Sequence, residues 1–168
     1  MFKTLKKIAL LTSIAALSAC GFHFQHGQLI PQELKTLTFE SNDPYSDMSM
    51  AMRKQLQINN IKLVDANESI PVLRIDRIRT SDEVVSVFKQ GREAEKMLMM
   101  QVDASVHLPK QNTYPISVKV NRTFFDNSRA ALAKSAEKEV IWNDMREQAA
   151  RQIISKMVAL QHQVKTAK

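Results

Sequence analysis

The residues able to do chemistry in this 168-residue chain are few: one cysteine, four histidines, and a scatter of lysines and arginines. No G-x-S-x-G motif presents a serine nucleophile. His23 and His26 stand at an H-x-x-H spacing that suits a metal, but no cluster of carboxylates or cysteines completes a ligand set. A solvated or packed role is expected for them, and equally for the isolated His107 and His162. Three glycines in all leave no loop to cradle a phosphate. No catalytic residue, metal or dissociable cofactor is therefore expected, and the chain reads as a non-enzyme.

The one cysteine has a different use. Lys3, Lys6 and Lys7 precede an apolar run from Ile8 to Leu17 that only Thr12 and Ser13 interrupt. Ten residues span roughly 15 Å as a helix, half the ~30 Å hydrocarbon core of a bilayer. The run reads as a removable export signal. Leu17-Ser18-Ala19-Cys20 then resembles the lipobox of bacterial lipoproteins, which implies an S-diacylglycerol and an N-acyl group on Cys20 after cleavage behind Ala19. The alternative is an ordinary signal followed by a free thiol. Three acyl chains exceed the two signals needed for stable anchoring. Gly21 occupies the position where an aspartate would imply retention at the inner membrane, so the resemblance implies the periplasmic face of the outer membrane. That compartment makes nucleic acid an unexpected partner, although the chain is basic. Removing the three leader lysines from 24 basic residues leaves 21 against 17 acidic ones, a mild excess that favours anionic partners.

The elements that must position these groups follow from periodicity. Residues 20–33 read as a lead-in, broken by Pro31. Leu34 to Phe39 has strand composition. In "SNDPYSD", Asp43 is expected to cap a helix with Pro44 at its first position. Tyr45, Met48, Met52 and Leu56 recur at helical spacing, and Asn59-Asn60 suits the helix end. Ile61 to Val64 is a short strand. From Val72 to Phe124 the pattern is mostly β, with residues 109–115 as a hairpin turn. Met97, Met99 and Gln101 share one face of a strand whose other face carries Leu98, Met100 and Val102, so burial on both sides or a partner is expected. Ile141, Met145, Ala149, Ile153, Met157, Leu160 and Val164 form one stripe of a long C-terminal helix. The expected fold is α+β and two-layered. About four strands form a mainly antiparallel or mixed sheet, with both helices on one face.

The methionines at 97, 99 and 100 suit core filling, and also an adaptable contact surface. Basic residues between Arg74 and Arg92, and at Lys119, Arg122, Arg129 and Lys134, suit a solvated face. They also suit a patch that binds phosphate-bearing lipid through charge-assisted hydrogen bonds.

Several segments together carry a resemblance: "CGFHF", P-x-E-L-K, "SNDPYS", R-K-Q-L-x-x-N, "SVFKQG", "TYPISVKVNRTFFDN" and "AALAK", in this order. They resemble the lipopolysaccharide-assembly lipoprotein family LptE, most specifically in "YPISVKV" followed by "FFDN". The resemblance implies a lipoprotein inserted into the lumen of the outer-membrane β-barrel LptD. There it would plug the barrel, assist its assembly and bind lipopolysaccharide on its way to the outer leaflet. It implies lipopolysaccharide contact at the basic residue after S-V-F and the lysine of A-L-A-K, here Lys89 and Lys134. Lysine in place of an expected arginine at 89 keeps the charge but loses the bidentate fork. The expected organisation is a signal peptide at 1–19, a lipidated lead-in at 20–33, one α+β domain at 34–164, and a short tail at 165–168. The competing expectation is a free-standing periplasmic lipid-binding lipoprotein, which would need its own apolar chamber.

Overall fold

The computed structural model describes residues 30–87, 93–109, 112–125 and 131–166. A single 3-10 turn, Gln32–Leu34, leads into β1 (Thr36–Ser41), followed by α1 (Asp47–Ile58), β2 (Lys62–Leu63), β3 (Val72–Val87), β4 (Glu93–His107), β5 (Thr113–Phe125) and α2 (Ala131–Thr166). The sheet is mixed and five-stranded, in the order β2-β1-β3-β4-β5. The expected α+β class holds. The strand count rises by one because β1 and the two-residue β2 both join the sheet, parallel to each other, through the α1 crossover. β1 also runs parallel to β3, and β3, β4 and β5 form an antiparallel meander.

α1 begins later than its sequence suggests. Asp43 is engaged elsewhere: its Oδ1 accepts the Tyr45 N–H at 3.0 Å and closes a tight turn around Pro44. Ser46 is the cap instead, its Oγ accepting the Ser49 N–H at 3.3 Å. Tyr45 therefore lies outside the helix, 87% exposed, while Met48, Met52 and Leu56 of the same stripe are buried. Ser49 Oγ sits in a small hydroxyl network, 2.8 Å from Ser41 Oγ and 2.7 Å from the Asp43 carbonyl, tying the helix start to the end of β1.

The other end of α1 follows its sequence. Asn60 takes the left-handed conformation (φ 57°). Asn60 N–H donates to Gln57 O at 2.9 Å and Ile61 N–H to Leu56 O at 3.0 Å. These two bonds are the paired closure of a Schellman C-cap, and the buried side chains of Ile61 and Leu56 supply its usual apolar contact.

Both helices cover one face of the sheet. Leu98, Met100, Val102, Ala104 and Val106 of β4 are buried there, as are Ile116, Val118 and Val120 of β5. They meet Met52 and Leu56 of α1 and Met145, Ala149, Ile153 and Met157 of α2. Ile141 and Leu160 extend the α2 stripe as partly buried residues. α2 runs for 36 residues, about 54 Å at 1.5 Å per residue. It lies antiparallel along β5, with Gln148 at Arg122 and Lys156 at Ser117. No described helix is apolar and long enough to cross a membrane.

Candidate functional site

The face away from the helices is the open one, and the register sets its chemistry in rows. Directly paired residues of antiparallel strands project to the same side. Arg77, Asp103 and Ser117 form one row, Arg79, Gln101 and Lys119 the next. Ser81, Met99 and Asn121 follow, and then Glu83, Met97 and Thr123. The surface thus grades from cationic and hydrogen-bonded to methionine-rich. The alternation expected for β4 is realised, with Met97, Met99 and Gln101 half-buried opposite a fully covered face. Burial on both sides is not reached. The helices take one face and leave the methionines on the other.

Asp103 organises the cationic rows. Its Oδ2 accepts from Arg79 Nη2 at 2.7 Å, and its Oδ1 from Ser117 Oγ at 2.7 Å and Gln101 Nε2 at 3.0 Å. Hydrogen bonds from Gln101 and Ser117, then the charges of Arg79 and Arg77, hold its carboxyl below the usual range. A carboxylate lowered on folding contributes stability that is complete above its unfolded value, about 3.9 for Asp. That stability is lost as pH falls through the lower folded value. Asp103→Asn should therefore lose less urea resistance than the parent chain between neutral pH and about pH 3, measured as the shift in unfolding midpoint. Equal acid sensitivity in the two proteins would remove Asp103 from this account.

On the helix side, Lys138 Nζ donates to Asp82 Oδ2 of β3 at 3.1 Å. That bond and the positive charge of Lys138 lower the Asp82 carboxyl, with a smaller contribution from Lys96. Lys134 lies one helical turn before Lys138 and so on the same side of α2. It is half-buried and engaged with neighbouring groups. α2 runs antiparallel to β5, with Lys156 at Ser117 and Gln148 at Arg122, and β5 ends at Phe125 opposite Glu95, so Lys134 lies toward that end of the sheet. Cys20 and Lys89 lie outside the described residues, as do His23 and His26. His107 Nδ1 sits 3.1 Å from Thr113 Oγ1 at the opposite, exposed end. Among the described residues no group of three His, Cys, Asp or Glu is placed to hold a metal ion.

The same end of the sheet exposes apolar surface: Val84, Val85 and Val87 of β3, and Phe125 of β5 at 72%. The alternation of Val85 and Val87 with Ser86 was visible in the sequence. Their exposure was not, because it depends on where the helices stop covering the sheet.

A groove of about 220 Å³ between α1 and α2 is lined by Asp47, Met50, Ala51, Lys54, Asn143, Arg146 and Glu147. Lys54 Nζ–Glu147 Oε1 (2.6 Å) and Arg146 Nη2–Asp47 Oδ2 (3.2 Å) cross it. The Lys54 hydrogen bond and charge lower the Glu147 carboxyl. This groove suits ion pairs that fix the angle between two helices, and it does not suit an acyl chain.

Residues 34–157 match the family model LptE, described as "Lipopolysaccharide-assembly". An LPS-assembly lipoprotein LptE from Yersinia pestis is 42% identical over 157 residues, covering 91% of this chain and 76% of that protein. The protein of the same name from Pectobacterium atrosepticum is 40% identical over 145 residues, covering 85% and 79%. Among solved structures, the crystal structure of rare lipoprotein B from Shewanella oneidensis superposes with a TM-score of 0.72 at 33% identity. That superposition covers 77% of this chain and 98% of the Shewanella one.

Proposed function

The chain belongs to the lipopolysaccharide-assembly family LptE, and from that premise we propose that it is the lipid-anchored plug of an LptD-type outer-membrane barrel and a contact point for lipopolysaccharide. The family's role is assembly, and it is non-enzymatic. The lipid on Cys20 would hold the chain at the periplasmic face of the outer membrane, and the domain beyond it would enter the barrel lumen.

The observation that carries this reading is the asymmetry of the sheet. One face is sealed by two helices. The other presents cations, a hydrogen-bonded aspartate and two half-buried methionines, and ends at the exposed Phe125. A free-standing lipid binder would need an enclosed apolar chamber, whereas the groove between the helices is small and crossed by ion pairs. A domain that must fill a wider cavity needs contact surfaces on several sides, as this one has.

Lipopolysaccharide contact is assigned to Lys89 and Lys134. Lys134 lies toward the end of the sheet where β3 reaches Val87 and β4 starts at Glu93, and its ammonium suits a phosphate-bearing head group. Replacing both, Lys89→Asp with Lys134→Asp, should weaken lipopolysaccharide binding about tenfold or more. Two lost charge-assisted hydrogen bonds at 1.5–3 kcal/mol each exceed that factor. Circular dichroism and barrel co-purification should stay unchanged. Undiminished binding by the double variant would return both lysines to a solvated face.

A further inference from the structure

The two outer edges of the sheet are built differently, and the difference can be followed through the ladder. Thr38 N–H donates to Pro71 O at 2.9 Å across the β1–β3 boundary. Odd residues of β3 therefore direct their backbone groups at β1 as far as Ile75. Asp76 is then an extra residue in the pairing with β4, since Ile75 pairs with Ala104 and Arg77 with Asp103. The bulge reverses the parity. Beyond it Arg77, Arg79 and Ser81 bond to β4, while Ile78, Thr80, Asp82 and Val84 turn their N–H and C=O groups outward. β1 ends at Ser41, opposite Ile75, so no described strand covers this stretch.

The same parity, carried across β4, leaves the odd residues of β5 facing outward. That edge is blocked. Pro115 has no N–H to offer, Lys156 Nζ donates to Ser117 O at 2.5 Å, and Arg122 Nη1 donates to Asn121 O at 3.2 Å. Proline and lysine at such positions are the usual protection of a strand edge. The outer edge of β3 has no proline between Asp76 and Val87. Every residue from Asp76 to Val85 is exposed. One edge is guarded, and the other is left able to accept a strand.

We propose that the outer edge of β3, from Ile78 to Val84, docks an extended segment of a partner protein in which acidic and apolar residues alternate. An added strand places every second side chain on each face. On the open face its neighbours at the start of the stretch would be Arg77 and Arg79, two guanidinium groups set beside Asp103, with Glu83 further along the same face. A carboxylate is the complementary group there. On the opposite face its neighbours would be Ile78 and Val84, 39% and 45% exposed, and an apolar side chain is their complement. This goes beyond the barrel-plug reading, because it specifies backbone pairing and a sequence pattern whichever protein supplies the strand.

The test uses the detergent-solubilised full-length lipoprotein and a fluorescent, end-blocked synthetic peptide of alternating glutamate and valine. Saturable binding by fluorescence anisotropy is expected. Slowed amide exchange is expected at Ile78, Thr80, Asp82 and Val84, with no change at Arg77 or Arg79. Thr80→Pro removes an outward N–H and leaves the β4 ladder intact, so it should weaken the peptide about tenfold. If that variant fails to fold, the exchange pattern of the unmodified protein decides. Equal binding by a folded Thr80→Pro chain, or no change at the four amides, overturns the proposal. So does slowing of the same amides by rising protein concentration alone, or by anionic phospholipid vesicles, since these would assign the edge to self-pairing or to a membrane.

Discussion

Replacing Ile153 with alanine should cost roughly 2–5 kcal/mol of folding stability, a large part of the ~5–15 kcal/mol available to a domain of this kind. Ile153 is fully buried at the middle of the α2 stripe, with Met145, Ala149 and Met157 on the same side. α2 packs on both β5 and α1, so a cavity here opens where three elements meet. Partial collapse of so long a helix is resisted by its anchors at either side. Arg146 bonds Asp47 and Glu139 on one side, and Lys156 holds the Ser117 carbonyl on the other. A lower urea midpoint with an unchanged slope is the expected signature. Val140→Ala on the same helix, at a 61% exposed position, should shift stability by no more than about 0.5 kcal/mol. Similar costs at the two positions would contradict the assigned face of α2.

The second large effect is association with the barrel, which should be extensive and resistant to salt. Exposed charge pairs such as Lys54–Glu147 contribute about 1 kcal/mol or less, and salt screens them. An interface resting only on the arginines of the open face would therefore dissociate as ionic strength rises. Apolar burial is not weakened in that way. The methionines of β4 and the exposed Val84, Val85, Val87 and Phe125 are the surface that a partner would remove from water. Methionine suits such a contact because its unbranched, polarisable chain fills irregular gaps.

Much of this fold was legible because short-range periodicity and packing agree. Met48, Met52 and Leu56 recur at helical spacing and are buried, and the Asn59-Asn60 pair ends α1 as its tolerance of a positive φ suggests. In β4 the apolar and half-apolar faces follow simple alternation. The start of α1 was not legible. Asp43 and Ser46 are both good caps, and the choice depends on Asp43 closing a turn onto Tyr45 and on Ser49 reaching back to Ser41. The short strand expected at Ile61 to Val64 forms as Lys62–Leu63, and the count of about four falls short because this two-residue piece also joins the sheet, through its parallel partner β1. The Asp76 bulge was equally hidden, and with it the free edge of β3. So were the Lys54–Glu147 and Arg146–Asp47 pairs, whose partners lie far apart in sequence.

For the candidate site the division is similar. Local motifs single out Cys20 and, through the family resemblance, Lys89 and Lys134. The tertiary fold alone brings Lys134 toward the end of the sheet where β5 stops at Phe125 and collects Arg77, Arg79, Asp103 and Ser117 into adjoining rows. Residues brought together by strand register leave no trace in linear spacing.

A role as the plug of a barrel is tested by extracting the full-length protein from outer membranes in gentle detergent. The extract is then washed at about 1 M salt, where the Debye length falls to about 3 Å. A β-barrel partner of LptD type is expected to stay bound in equal amount through that wash. Recovery of the intact lipoprotein with no barrel attached would contradict it.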